Sequence, residues 1–230
     1  KLAEQHPVLV LKLAANVARL LQRHTAKTDR SLQTITLLPL HESVQVRDYC
    51  DLFIEKLSAQ GSMMLASPGS LSEVEAPVTS LGDGEEIPEV LRHWLSDQED
   101  NHRYVVYRCE AGESPWSRFA IRQSDIVLMI ADADHGPGSI KWEPQASTGE
   151  GTSVGRRALV LLQRDRLTIS NTRDWLLDRQ LNFHLHMEIG RAKDIERAVR
   201  IVTGTATGLV FGGGAARGVG NPVFYVDPAT

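Results

Sequence analysis

Two glycine-bracketed stretches contain the residue types from which acyl-transfer chemistry is built. Gly151-Thr-Ser-Val-Gly155 spells Gly-x-Ser-x-Gly, the pattern of a nucleophile elbow. An elbow needs a strand running into the serine and a helix running out, because that sharp turn exposes the hydroxyl beside backbone N–H donors. The surroundings of Ser153 oppose it. Lys141 to Glu150 is polar and holds Pro144, so no buried strand enters, and Arg157 to Gln163 is an aliphatic run suited to a strand. Ser153 is therefore read as a loop serine. Asp83-Gly84 lies in a separate acidic loop and is no partner for it.

The second stretch is Gly208-Leu-Val-Phe-Gly-Gly-Gly-Ala-Ala-Arg-Gly218. Here an apolar strand does feed a glycine-rich turn, and small residues let successive backbone N–H groups converge on an anion or a developing oxyanion. A phosphate cradle and an oxyanion loop both fit this spelling, as does a plain turn at a sheet edge. A dinucleotide site needs a helix after the glycines and an acidic residue about 20 positions on. Gly220-Asn-Pro222 interrupts any such helix, and the sequence stops at Thr230.

Other ligand-forming residues are sparse. Asp125, Asp132 and Asp134 surround one apolar strand, where carboxylates commonly terminate the strand rather than bind a cation. His184 and His186 alternate by two and share one face, without a third ligand at a telling spacing. No metal or cofactor is expected. Cys50 and Cys109, the only cysteines, have neither zinc nor redox spacing and are expected as buried thiols. Trp94, Trp116 and Trp175 fall in helical settings as packing anchors.

Alternating strands and helices must position these residues. Thr34–Leu38, Met63–Ala66, Tyr104–Tyr107, Ile126–Ile130 and Ala158–Leu162 are short aliphatic runs, followed by Phe183–Met187 and Thr207–Phe211. Helical spacing covers 44–57, 88–97, 115–123, 173–178 and 192–202, while 67–87 and 134–155 read as loops. Near-continuous aliphatic strands imply burial on both faces. The expected fold is a three-layer, doubly wound α/β domain with a mostly parallel, Rossmann-like sheet. The chain of 230 residues carries a net charge of −4, which offers no general attraction to nucleic acid. Leu9 to Leu21 is broken by Lys12, Asn16 and Arg19 and is too short to span a bilayer. No secretory signal opens the chain, so a cytoplasmic location is expected.

Leu209-Val-Phe-Gly-Gly-Gly-Ala-Ala-Arg-Gly218 resembles the oxyanion motif that opens the patatin-like phospholipase domain, in the neuropathy-target-esterase-like branch that carries cyclic-nucleotide-binding domains. Arg197–Gly204 is similar to the arginine-containing helix entering that motif. Ser114-Pro-Trp-Ser117, Gln123–Ala133 and Trp175-Leu176 resemble the region before it, and Leu2 to Arg23 resembles the last helix of a cyclic-nucleotide-binding domain. The resemblance implies an oxyanion hole at Gly212, Gly213, Gly214, Ala215, Arg217 and Gly218, with Ala215 where many members have glycine. The family's nucleophile and aspartate follow the glycines, so Ser153 and Asp83 stand in the wrong order and inherit neither role. Val219 to Thr230 departs from the histidine-containing helix with which the family continues.

On this reading 1–30 ends an upstream cyclic-nucleotide-binding-like module, 31–206 is the Rossmann-like middle domain, and 207–230 begins a patatin-like domain. The middle domain is similar to ParA and MinD ATPases without their phosphate loop, since Leu38-Pro-Leu-His-Glu-Ser43 lacks the needed glycines and lysine. The expected function is that of a connecting region in a serine esterase that cleaves phospholipid or lysophospholipid acyl esters. Such a region would be inactive alone, with the whole protein peripheral to a membrane. The alternative is a nucleotide-binding or protein-interaction module without hydrolase activity.

Overall fold

A computed structural model describes residues 33–72, 89–137, 142, 155–165, 169–177 and 179–207. Among them the chain runs β1 (Gln33–Pro39), α1 (Val44–Ser58), β2 (Met63–Ala66), α2 (Pro68–Ser72), α3 (Glu89–Asn101), β3 (Tyr104–Arg108), α4 (Pro115–Gln123) and β4 (Ile126–Asp132). A single 3-10 turn, Ala133–His135, follows. Then come β5 (Arg156–Gln163), α5 (Thr172–Leu176), β6 (Phe183–Glu188) and α6 (Ala192–Val202). The strands form one sheet in the order β2-β3-β1-β4-β5-β6, with every adjacent pair parallel. This is the doubly wound α/β architecture that the aliphatic strands imply.

Period-two alternation distributes β1 to β5 between two cores, while β6 gives Met187 to one core and sets His184 and His186 on its other face. Ile35, Leu37, Val106, Leu128, Ile130, Val160 and Leu162 face α1 and α6, which contribute Phe53, Leu57, Ala198 and Val199. Leu38, Val105, Tyr107, Val127, Met129, Leu159 and Leu161 face α3, α4 and α5, which contribute Leu91, Leu95, Phe119 and Trp175. A fully buried aliphatic or aromatic side chain contributes roughly 1.5–3 kcal/mol. That scale explains α3, whose C-terminal part carries Asp97, Glu99 and Asp100 against the helix dipole, a penalty of about 0.3–1 kcal/mol per charge. Burying Leu91 and Leu95 outweighs it. Helix α4 has stronger local signals, with Pro115 in its first turn and a capping box in which Ser117 N donates to Ser114 Oγ at 3.0 Å and Ser114 N to Ser117 Oγ at 2.8 Å.

Several element ends shift from the sequence reading, with α3 running on to Asn101 and β5 starting at Arg156, and two further departures stand out. Residues 68–72, read as loop, form the short helix α2, where Ser67 N donates to Ser70 Oγ across the first turn. Strand β4 runs two residues beyond Ile130, because Ala131 and Asp132 pair with Leu161 and Leu162 of β5. Asp132 therefore ends the strand inside the protein, 1% exposed, rather than facing water.

Candidate functional site at the carboxyl ends of β1 and β4

The chain leaves β1 toward β2 on one flank of the sheet and leaves β4 toward β5 on the other. Adjacent parallel strands whose connections depart in opposite directions leave a crevice beyond their carboxyl ends, which is where ligands of open α/β sheets bind. Here polar side chains are brought together by strands that are otherwise apolar. His41 lies two residues beyond β1 and is buried. Asp132 ends β4, and the 3-10 turn carries Asp134 and His135.

The Asp132 carboxylate organises the turn. One oxygen accepts Asp134 N–H at 3.0 Å, and the other lies 3.2 Å from His135 Nδ1. The Asp132 amide donates to His41 Nε2 at 3.2 Å. Rings of His41 and His135 stack with centroids 4.5 Å apart and planes 22° from parallel, and the Trp175 ring lies 6.3 Å from His41. Trp175 Nε1 and Asn171 Nδ2 both donate to the Ala133 carbonyl, at 3.3 and 3.0 Å. Arg164 Nε pairs with the Asp134 carboxylate.

Burial is the main influence lowering the pKa of His41; the neighbouring His135 lowers it further and Asp132 opposes both. A neutral His41 is also what the hydrogen bond demands, since Nε2 must present a lone pair to the Asp132 N–H. His135 is half exposed, with Nδ1 directed to the buried carboxylate of Asp132, an arrangement that can orient an imidazole for proton exchange. Neither imidazole is hydrogen-bonded to a described serine, threonine or cysteine side chain, so these residues supply a proton acceptor without an attached nucleophile.

The remaining sequence-derived candidates fall elsewhere. Asp125 sits at the opposite end of β4, where its carboxylate accepts Thr34 N–H at 3.1 Å. His184 and His186 do share a face of β6, with rings 5.3 Å apart at 89°. Burial first, then His184 and Arg197, lower the His186 pKa. No group of three or more His, Cys, Asp or Glu side chains among the described residues is arranged to hold a metal. Cys50 and Cys109 are buried free thiols, and burial pushes both pKa values up to about 12. Trp116 and Trp175 are core residues and Trp94 is half buried. Ser153, Asp83, Gly84 and the segment Gly212, Gly213, Gly214, Ala215, Arg217 and Gly218 lie outside the described residues.

Gly155 is described, and it explains half of the Gly-x-Ser-x-Gly spelling. A Cβ there would come within 2.1 Å of the Ser124 carbonyl oxygen and 2.9 Å of the Asp125 backbone. Glycine is required because β5 starts hard against the chain entering β4. The residue after it begins a strand, whereas a nucleophile elbow leads into a helix.

Sequence reasoning placed Asp132 and Asp134 at a strand end but did not join them to His41 and His135. The available signal was the polar residue just past each of two aliphatic runs. Which of six strand ends would be neighbours is not written in either run.

Residues 31–208 match the model of the Neuropathy Target Esterase family P-loop like domain. The chain belongs to the Neuropathy Target Esterase family. It is 29% identical over 218 residues to patatin-like phospholipase domain-containing protein 7 of Rattus norvegicus, covering 82% of this chain and 16% of that protein. It is 28% identical over 216 residues to patatin-like phospholipase domain-containing protein 6 of Homo sapiens, with 82% and 15% covered. Neuropathy target esterase sws of Drosophila persimilis is 26% identical over 213 residues, with 80% and 14% covered. The chain thus spans about one-sixth of the length of the curated relatives it matches. In this Neuropathy Target Esterase family domain the connection after β1 is Leu40-His-Glu-Ser43, with an imidazole where a phosphate loop carries glycine and lysine.

Proposed function

We propose that this chain is the connecting region of a patatin-like serine esterase that cleaves acyl esters of phospholipids or lysophospholipids, and that it contains no nucleophile of its own. The family match over residues 31–208 carries this reading. The glycine segment 212–218 supports it, because an oxyanion loop supplies backbone N–H groups while the attacking serine comes from elsewhere. On this reading the serine and its aspartate follow Thr230, a cyclic-nucleotide-binding module precedes residue 31, and residues 207–230 open the lipase domain. The serine would attack the acyl carbonyl and expel the alcohol after proton transfer. Gly212 to Gly214 would stabilise the tetrahedral oxyanion. The middle domain would space the sensor from the lipase, working in the cytoplasm at a membrane surface.

A fluorophosphonate probe tests the assignment. The intact 230-residue chain should take up no label at Ser153, whereas the longer protein should take up one equivalent at a serine beyond Thr230. Stoichiometric modification of Ser153 in the short chain would overturn the proposal. Nucleotide binding is the contrasting outcome of a separate thermal test, since a ligand specific to the native state raises the melting temperature by mass action. With no glycine or lysine in residues 39–43, millimolar ATP or GTP should leave it unchanged.

A further inference from the structure

We propose that His41 and His135 form a proton-operated latch that fastens the β1–α1 connection to the end of β4 and releases it as pH falls below neutrality. The latch rests on one hydrogen bond whose direction is fixed by chemistry. The Asp132 amide can only donate, so His41 Nε2 must be the acceptor and the ring proton must sit on Nδ1. A second proton on His41 converts Nε2 into a donor facing a donor. The contact then becomes repulsive.

The surroundings strengthen this dependence. His135 covers one face of the His41 ring at 4.5 Å, so a charged His41 would be pressed against a second imidazole. The compensating carboxylate is already engaged, with one Asp132 oxygen on Asp134 N–H and the other on His135. From α5 the neighbour is Trp175, whose ring also receives the Arg179 guanidinium at 5.4 Å. Asp134 is paired with Arg164, and Glu42 is the acidic neighbour within the connection itself. His41 Nδ1 is buried and without a hydrogen-bond partner. Nothing on that side rewards keeping a charged ring in place.

Release would be confined to the connection. Leu40 N–H donates to the Ile130 carbonyl at 2.9 Å and continues the sheet ladder independently of His41. Beyond His41, Ser43 precedes α1 without capping it, since its hydroxyl donates to Gln45 Oε1 instead. The hinge would fall between Leu40 and His41, and the freed segment would be residues 41–43, with α1 held by Val46 in the core.

Residue-resolved hydrogen exchange on the intact 230-residue chain tests the latch. The Asp132 amide should be protected at pH 7.5 and its protection factor should fall severalfold by pH 5.5, toward the roughly tenfold ceiling that one group with an ordinary value of 6.5 can impose. Amides of Leu40 and of central β4 should keep theirs. His41→Gln supplies a carbonyl acceptor that does not titrate, and should limit the change at Asp132 to less than twofold. Nitrogen-15 shifts of the wild-type histidines give a second reading that needs no variant. His41 should carry its proton on Nδ1 at pH 7.5, and Nε2 should become protonated with the midpoint at which Asp132 protection is lost. Protection that is independent of pH, an equal loss in His41→Gln, or a proton on Nε2 at pH 7.5 would each overturn the proposal.

Discussion

The two ends of the sheet differ in what is added to the backbone ladder. At the amino end, backbone hydrogen bonds link all six strands. Arg103 N donates to Ser62 O, Gln33 N to Arg103 O, Asp125 N to Thr34 O, Arg156 N to Asp125 O and Asn182 N to Arg157 O, at 2.8–3.2 Å. Side chains reinforce that ladder, with Asp125 on Thr34 N–H and Asn182 Oδ1 accepting Arg157 N–H at 2.7 Å. At the carboxyl end backbone bonds from Cys109 N to Leu37 O, Leu40 N to Ile130 O and Ile189 N to Gln163 O continue the ladder, and the further bond between the β1 exit and Asp132 is made by an imidazole. Asn171, the one described non-glycine residue with positive φ (56°), lies at the same end. Peptide groups do not titrate near neutral pH and imidazoles do. The carboxyl end thus adds to the peptide ladder a side chain that can respond.

This contrast predicts unequal consequences of mutation. The largest is at the amino end: Gly155→Ala should cost about 3 kcal/mol in urea unfolding, because the new methyl meets the Ser124 carbonyl and backbone must move. A loss below about 0.5 kcal/mol would show that the strand junction is looser than its geometry. Asp125→Ala should cost about 1.5 kcal/mol in the same measurement by leaving Thr34 N–H without its carboxylate.

At the carboxyl end the effect should be on pH dependence rather than on stability at neutrality. The folded pKa of His41 is lowered, so as pH falls through the ordinary value of 6.5 the unfolded chain takes up the proton first. Stability is then fully present above that value and is lost as pH falls toward the lowered one. His186 acts in the same direction. His41→Gln should therefore flatten, without abolishing, the fall of the urea midpoint between pH 7.5 and 5.5. An unchanged slope would mean that the response comes from elsewhere. The smallest effect is expected at Ile169 and Leu177, which are 54% and 60% exposed on either side of α5; changing each to Ser should alter stability by about 0.5 kcal/mol or less.

The same contrast governs what could be read in advance. Helices at 115–123 and 192–202 and the strand at 63–66 agree with the structure residue for residue, since local periodicity and capping specify them. The aliphatic run after the Ser153 motif was legible as a strand and forms β5, while Ser153 itself lies outside the described residues. His41 and His135 were illegible as a pair. They are separated by three strands in the sequence, β2, β3 and β4, and nothing local says that β4 inserts next to β1.

Local sequence determined which segments are strands and helices, because side-chain period and cap residues act over a few positions. It also determined the two-faced burial of the sheet, because uninterrupted aliphatic runs leave no polar side for water. Only the tertiary structure decided that β1 and β4 lie side by side with Ile35 opposite Ile126. That register carries a buried imidazole to the amide of Asp132, and it arises from the packing of the whole sheet between its two helix layers, which no short stretch of sequence contains.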